Sequence, residues 1–356
     1  MAPLVKALSA DTQIDSVICV TAQHREMLDQ VLDIFDIKPD HDLDIMTQGQ
    51  TLYDVTARIL LGMKNILETE APDYVLVHGD TATTSAVALA AYYQRIKVGH
   101  VEAGLRTRNI YAPWPEEINR RIAGVIANIH FAPTEGSKNN LLEEATPEAD
   151  IIVTGNTVID ALFTILEQIK SDEALRTRLD EALPKIDTSK RLILVTGHRR
   201  ENFGDGFENI CFALKKLAGR GDTQIIYPVH LNPNVQEPVD RLLKGVDNVH
   251  LIPPLDYLPF VRLMSQAHLI ITDSGGVQEE APSLGIPVLV MRETTERPEA
   301  VTSGVVKLVG TNKEVIIREA NTLLDDAATY KSMAQSQNPY GDGKAVPRII
   351  DALKRL

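Results

Sequence analysis

The chain's 356 residues are more than one hydrophobic core usually serves, so its length favours two domains. Its 36 basic against 49 acidic residues give a net charge of −13, which argues against nucleic acid or an anionic membrane as the main partner. No apolar stretch approaches the roughly 20 residues of a membrane span and no signal peptide opens the chain, so we expect a cytoplasmic protein whose two cysteines are free thiols.

Short apolar, β-branched runs alternate with helical patterns from end to end, which is typical of βαβ units and parallel sheets. We therefore predict the α/β class, with two doubly wound Rossmann-like domains. The N-terminal domain is expected over residues 1–156, joined by a C-terminal helix over 345–356, and the second domain over 157–344. The predicted strands are Val17–Thr21, Tyr74–Val77, Lys97–Val101, His130–Ala132, Ile151–Thr154, Leu192–Thr196, Gln224–Val229, Val249–Ile252, Leu269–Thr272, Pro287–Val290 and Val305–Leu308.

Carboxylates follow the strands of the first domain. Asp80 comes shortly after Tyr74–Val77, Glu102 directly after Lys97–Val101, and Glu116 after a proline-rich turn. Carboxylates that share a site repel, so the pKa of one of them rises and that group can act as a general acid. Two of them also have a structural interpretation, Asp80 as a helix cap and Glu116 as a first-turn carboxylate on a helix dipole. The residues alone leave both interpretations open.

Two turns of the second domain suit an anion. The run Thr196-Gly197-His198-Arg199-Arg200 places positive charge where a phosphate would be bound. After Leu269–Thr272 comes Asp273-Ser274-Gly275-Gly276, whose glycines let a ligand approach N–H groups at a helix N-terminus. Glu279 or Glu280, in the first turns of that helix, could reach a ribose hydroxyl. A polar cluster follows the next strand and consists of Arg292, Glu293, Glu296, Arg297 and Glu299.

Cofactor and metal fingerprints are absent from the sequence. No G-x-G-x-x-G opens a βαβ unit, no G-x-x-x-x-G-K-[ST] occurs, and no Cys/His set has zinc spacing. We therefore expect no cofactor, no ATP hydrolysis and no metal. Because ligands of open α/β sheets bind beyond the carboxyl ends of the strands, the polar clusters predict one cleft between the two domains.

Taken together, these segments resemble the non-hydrolysing UDP-N-acetylglucosamine 2-epimerases of bacteria, and the resemblance covers virtually the whole chain. The matching runs are Val77-His78-Gly79-Asp80-Thr81, Gly99-His100-Val101-Glu102-Ala103-Gly104-Leu105-Arg106-Thr107, Pro113-Trp114-Pro115-Glu116-Glu117, Thr154-Gly155-Asn156-Thr157-Val158-Ile159-Asp160, Thr196-Gly197-His198-Arg199-Arg200-Glu201-Asn202, Tyr227-Pro228-Val229-His230-Leu231-Asn232-Pro233, Asp273–Glu280 and Thr295-Glu296-Arg297-Pro298-Glu299.

The resemblance implies domains of the glycosyltransferase-B type, a homodimer and reversible conversion of UDP-GlcNAc into UDP-ManNAc for bacterial surface polysaccharides. The implied route eliminates UDP to give 2-acetamidoglucal and then adds it back. Substrate is also implied as an activator at a second site, with Gln23, Arg200 and His230 as candidates. The implied catalytic residues are Asp80, Glu102, Glu116 and His198, and the implied substrate-binding residues are Ser274, Gly275, Gly276, Glu280 and Arg297.

The start of the chain departs from the family pattern. Relatives open with an apolar strand and a Gly-Thr-Arg-Pro-Glu turn whose arginine contacts the nucleotide, whereas Met1-Ala2-Pro3-Leu4-Val5-Lys6 matches the helix after that turn. The first strand of a doubly wound sheet is central and buried on both faces. We therefore expect the 356-residue chain by itself to be poorly soluble or weakly active, and family-like residues before Met1 to restore both properties.

Other functions remain compatible with the sequence. A retaining glycosyltransferase would use the same diphosphate site but transfer the sugar to an acceptor, and a hydrolysing epimerase would release ManNAc and UDP. A non-enzymatic sugar-nucleotide-binding protein would bind the ligand without turnover. Incubation with UDP-GlcNAc alone separates an epimerase from a glycosyltransferase, because only an epimerase consumes it without an acceptor.

Overall fold

The structure, a computed structural model, describes residues 1–23, 25–47, 49–295 and 297–356. The chain forms two compact units, one of Met1–Ala161 with Tyr340–Leu356 and the other of Leu162–Pro339. The domain bounds predicted from the sequence remain a proposal. No helix in the described parts of the chain is long and apolar enough to cross a membrane.

The first unit contains two parallel sheets. One pairs β1 (Cys19–Val20) with β2 (His41–Asp42), and the other has the order β3-β4-β5-β6. The strands of the larger sheet are β3 (Tyr74–His78), β4 (Lys97–Val101), β5 (Ile129–Ala132) and β6 (Ile151–Val153). The helices are α1 (Ala2–Ala10), α2 (Arg25–Ile34), α3 (Leu52–Glu70), α4 (Ala82–Tyr93), α5 (Glu116–Ile126), α6 (Glu135–Glu143), the start of α7 (Thr157–Ser171) and the C-terminal α16 (Ala345–Leu353).

Helices cover both faces of the larger sheet. On one face α3 buries Val55, Ile59, Met63 and Leu67, a four-residue spacing that forms one helical stripe. On the other face Leu4 of α1 and Ile349 of α16 pack with residues of β4 and β5. Because both faces are covered, β4 is buried over almost its whole length, as expected for a parallel sheet.

The second unit is built on one six-stranded parallel sheet of order β12-β11-β10-β7-β8-β9. Its strands are β7 (Arg191–Thr196), β8 (Thr223–Pro228), β9 (Val249–Ile252), β10 (Leu269–Thr272), β11 (Val288–Val290) and β12 (Val306–Leu308). Its helices include most of α7, α8 (Glu173–Ala182), α9 (Asp205–Ala218), α10 (Pro233–Leu243), α11 (Tyr257–Met264), α12 (Gly275–Ser283), α13 (Pro298–Thr302), α14 (Lys313–Asp325) and α15 (Ala327–Ala334).

The strand order of the second unit runs outward in both directions from the β7–β10 pair. Such a reversal opens a crevice at the carboxyl ends of the two strands, where α/β proteins bind ligands. The predicted α/β class with parallel sheets is confirmed, and every predicted strand overlaps an observed one. The first of them is shorter than predicted, Cys19–Val20 instead of Val17–Thr21, and β2 was not predicted.

Candidate functional site

His198 and Asp273 stand side by side where β7 and β10 end. The two strands are paired in register, with Thr196 opposite Thr272, and the hydroxyls of these threonines are 2.6 Å apart. After Thr196 and after Thr272 the backbone leaves the sheet, at the point where the strand order reverses. The two turns that the sequence singled out as anion sites therefore meet in one crevice of the second unit.

The turn Ser274-Gly275-Gly276 begins helix α12. Ser274 is the N-cap residue, and within the described chain its side chain makes no capping hydrogen bond. A Cβ on Gly276 would meet only Glu280 Oε2, at 4.0 Å, so the space beside this glycine is open. First-turn N–H groups and the helix dipole make this turn a candidate anion site.

Glu280 points from the same helix and is held by a residue that the sequence did not suggest. It is 6% exposed, and the Tyr257 hydroxyl donates a hydrogen bond to Glu280 Oε1 at 2.6 Å. Burial raises the pKa of Glu280 to about 7, although the Tyr257 bond opposes the shift. Oε2 stays on the side of Gly276. Tyr257 lies 23 residues before Glu280 at the start of α11, and no local pattern connects the two.

We expect Glu280→Gln to change how stability depends on pH. A folded-state pKa of about 7, above the ordinary 4.5, means that Glu280 stabilises the fold fully below pH 4.5 and that this contribution is lost as the pH rises through 7. The shift corresponds to about 3 kcal/mol. Urea unfolding should therefore show the parent losing more stability than the variant between pH 4 and pH 8. Equal losses would contradict the buried, raised carboxyl.

Arg297 is joined to the same helix. Its Nε donates to Glu279 Oε1 at 2.5 Å, and its backbone N–H donates to Thr295 Oγ1 at 3.1 Å. The Glu279 carboxylate is buried, so Arg297 is anchored beside α12. Glu296, a member of the predicted polar cluster, lies outside the described residues.

The carboxylates of the first unit lie at the carboxyl edge of its larger sheet. Asp80 follows β3 and receives a short hydrogen bond from the guanidinium of Arg120, a buried residue of α5. Arg120 also lies 3.3 Å from the buried Glu117 carboxylate. The interpretation of Asp80 as a helix cap is wrong, because Thr81 is the N-cap residue of α4 and accepts from the Thr84 N–H.

Glu116 does lie in the first turn of α5, as its structural interpretation predicted. Its Oε2 is buried and accepts no hydrogen bond within the described chain. Such an oxygen is costly unless something else occupies the space in front of it. Its neighbour Glu117 has the structural role, since its carboxylate accepts hydrogen bonds from the backbone N–H groups of Thr107 and Arg108.

Glu102 follows β4 with a left-handed backbone, φ 62°. A non-glycine residue in this conformation costs about 1–2 kcal/mol, and strained residues of this kind cluster at functional sites. Its Oε2 lies 3.3 Å from His78 Nε2, and burial lowers the pKa of that imidazole. The buried His100 bonds to the Gly79 carbonyl at 2.8 Å and so holds the turn before Asp80. Neither histidine was singled out from the sequence.

The three candidates for an activating second site fall in both units. Gln23, in the first unit, accepts a 3.4 Å hydrogen bond from Thr83 at the start of α4. His230, in the second unit, stacks on His198 with ring centroids 5.2 Å apart, and Arg200 follows in the same turn as His198. His230 therefore adjoins the candidate catalytic histidine itself. Among the described residues, no group of three histidine, cysteine or acidic side chains could hold a metal ion.

Comparisons with known proteins agree over the full length. The profile of the UDP-N-acetylglucosamine 2-epimerase family matches residues 6–354. The chain is 61% identical to the UDP-N-acetylglucosamine 2-epimerase of Escherichia coli K12 over 355 residues, 99% of this chain and 94% of that protein. It is also 61% identical to a probable UDP-N-acetylglucosamine 2-epimerase of Ralstonia nicotianae, of which it covers 95%.

Solved structures show the same similarity. The Neisseria meningitidis UDP-GlcNAc 2-epimerase bound to UDP-GlcNAc superposes with a TM-score of 0.92 and 53% identity, covering 100% of this chain and 96% of that one. The Methanocaldococcus jannaschii UDP-GlcNAc 2-epimerase in complex with UDP-GlcNAc and UDP gives a TM-score of 0.81 at 35% identity, with the same coverage of 100% and 96%. These similarities confirm two Rossmann-like domains of the glycosyltransferase-B type.

Proposed function

The chain belongs to the UDP-N-acetylglucosamine 2-epimerase family, and on that premise we propose that it interconverts UDP-GlcNAc and UDP-ManNAc without hydrolysis. The observation that carries the proposal is the family match over residues 6–354. The helix N-terminus at Ser274 and the buried carboxyl of Glu280 suit a nucleoside diphosphate. The edge with Asp80, Glu102 and Glu116 supplies the acid/base groups that an inversion at carbon requires.

We propose an elimination route, because no carbonyl lies beside C2 of the sugar to make its proton acidic. The bond between C1 and the phosphate oxygen breaks, and UDP leaves with the electron pair. A base removes the C2 proton, and the C–H electron pair becomes the C1=C2 double bond of 2-acetamidoglucal. UDP then adds back to C1 while a proton is delivered to the opposite face of C2.

The roles proposed for the residues follow from their chemistry. Two faces of C2 need two acid/base groups, which Asp80, Glu102 and Glu116 can provide. His198 would face the leaving diphosphate, and Glu280 would accept hydrogen bonds from the ribose. The remaining substrate contacts are proposed for Ser274, Gly275, Gly276 and Arg297.

The test is NMR of UDP-GlcNAc with the purified protein in deuterated water, without a nicotinamide cofactor or an acceptor. We expect UDP-ManNAc to form and deuterium to enter at C2 of both sugars, because every passage through the glucal exchanges that proton with solvent. Epimerisation that keeps the original C2 hydrogen would rule out elimination. Free ManNAc would indicate the hydrolysing reaction, and unchanged UDP-GlcNAc would favour a glycosyltransferase or a binding protein.

We also propose that the protein is a homodimer, which an exposed apolar stripe on α5 supports. Ile118, Ile122 and Val125 lie on one helical face, and Val125 is 87% exposed. Tyr92 and Tyr93, also exposed, end the neighbouring helix α4. A stripe of this kind on a surface helix is a common protein–protein contact.

The dimer proposal predicts that Ile122→Glu combined with Val125→Glu yields monomers, because two carboxylates would be desolvated at each contact. Light scattering should then report half the parent mass. Met27→Glu, at a 70% exposed position of α2, is the control and should leave the mass unchanged. A double variant that stays dimeric would exclude this surface.

Substrate would activate the enzyme at a second site near Gln23, Arg200 and His230. Loss of sigmoidal rate curves in a Gln23→Ala variant, with the same maximal rate, would support the second site.

The enzyme would act in the cytoplasm, and its UDP-ManNAc would feed bacterial surface polysaccharide synthesis.

A further inference from the structure

Asp273 is a fully buried carboxylate to which the proposed function gives no role. Its Oδ2 accepts the backbone N–H groups of His198 and Arg199, each at 2.9 Å, and the side-chain amide of Asn202 at 3.2 Å. It is 0% exposed, so these bonds are made away from water. One oxygen therefore fixes the turn that carries His198 onto the end of β10.

The other oxygen is not used by the turn. Asp273 Oδ1 is buried and accepts no hydrogen bond within the described chain, yet it lies 3.6 Å from His198 Nδ1. A small rotation of the His198 ring would bring the two atoms within hydrogen-bond distance. A buried carboxylate oxygen without a donor is costly, so its position beside an imidazole nitrogen calls for a function.

We propose that Asp273 is the positioning residue of His198, accepting the imidazole Nδ1–H at Oδ1 so that Nε2 faces the ligand. A carboxylate in this place selects the tautomer and stabilises the imidazolium. The imidazolium is the form that can donate from Nε2 to a diphosphate as it gains charge on leaving C1. The catalytic purpose rests on the proposed function of His198, whereas the contact itself does not.

The charged and titratable groups around His198 set the direction of the test. Burial lowers the pKa of His198, the Asp273 carboxylate opposes that shift, and the stacked His230 and adjacent Arg199 reinforce it. Removing the charge of Asp273 alone should therefore lower the pKa of His198 further.

The experiment follows the ring signals of His198 by NMR in the full, unliganded chain labelled in its histidines, with His198→Gln for assignment. In Asp273→Asn the amide oxygen can still accept from the turn, but the charge is gone. We expect the titration midpoint of His198 to fall by about one to two pH units. Asn202→Ala is the matched control, since it removes the amide that donates to Asp273 Oδ2 and to the Met291 carbonyl but keeps the Asp273 carboxylate, and its midpoint should equal that of the parent.

An unchanged midpoint in Asp273→Asn, or an equal fall in Asn202→Ala, would overturn the proposal. If Asp273→Asn does not fold, the ring ¹⁵N shifts of His198 in the parent at high pH provide the test, because they identify the tautomer of the neutral ring. The proposal expects the proton on Nδ1, and a proton on Nε2 would contradict it. In turnover, Asp273→Asn should lower kcat about tenfold or more at nearly constant KM. Absence of epimerase activity in the parent would refute only the proposed function, because the NMR result does not depend on turnover.

Discussion

Replacing any one of four side chains should lower kcat by about 10²–10⁴-fold while affinity for UDP changes little. The three carboxylates are proposed to act on the proton in transit, and His198 on the diphosphate as it gains charge, whereas the nucleotide is proposed to be held mainly by α12 and its neighbours. Initial rates by NMR and UDP binding by calorimetry separate the two quantities. The variants are Asp80→Asn, Glu102→Gln, Glu116→Gln and His198→Ala.

A matched control for Asp80→Asn lies at the other end of strand β3. Asp73 is an exposed carboxylate just before β3, and Asp73→Asn makes the same isosteric change without approaching the carboxyl edge. It should turn over like the parent. Asp80→Asn also weakens the contact to Arg120, so thermal unfolding must show that the variant is folded. Ordinary turnover in any one variant would leave that residue with a structural role only.

Gly104→Ala should lower the free energy of unfolding by about 3–5 kcal/mol, a large part of the roughly 5–15 kcal/mol that holds a protein folded. Gly104 has φ +92°, and a Cβ there would lie 2.3 Å from the Ser137 carbonyl oxygen in α6. Backbone cannot yield as a flexible side chain can. Urea unfolding measures the loss.

Gly221→Ala separates the two causes of that loss, which are the backbone strain of a positive φ and the steric clash with α6. Gly221 has φ +81°, but a Cβ there meets nothing within 4 Å, so the variant carries only the backbone strain of about 1 kcal/mol. Equal losses in the two variants would show that α6 is not packed against the turn. The turn matters for function because Gly104 stands two residues after Glu102, and Asn140 Nδ2 of α6 holds the Gly104 carbonyl at 2.9 Å.

Most of the fold could be predicted because its signals are local. β-branched runs mark strands, and the glycines after Leu269–Thr272 mark a turn into a helix, since both depend on a few neighbouring residues. The length indicated two domains, and the net charge of −13 argued against nucleic acid or an anionic membrane as the main partner. The errors came where local signals are weak, as at Cys19–Val20 and the two-residue strand His41–Asp42.

The sequence by itself thus determined the class, most of the strands, the turns and the family, and with the family the candidate residues. Only the tertiary structure decided their partners. Asp273 reaches the N–H of His198 across 75 residues because β10 pairs with β7, and Arg120 reaches Asp80 across 40 because α5 packs on α4. Strand order and helix packing follow from burying the whole apolar surface at once, so no local pattern specifies which buried groups will face each carboxylate.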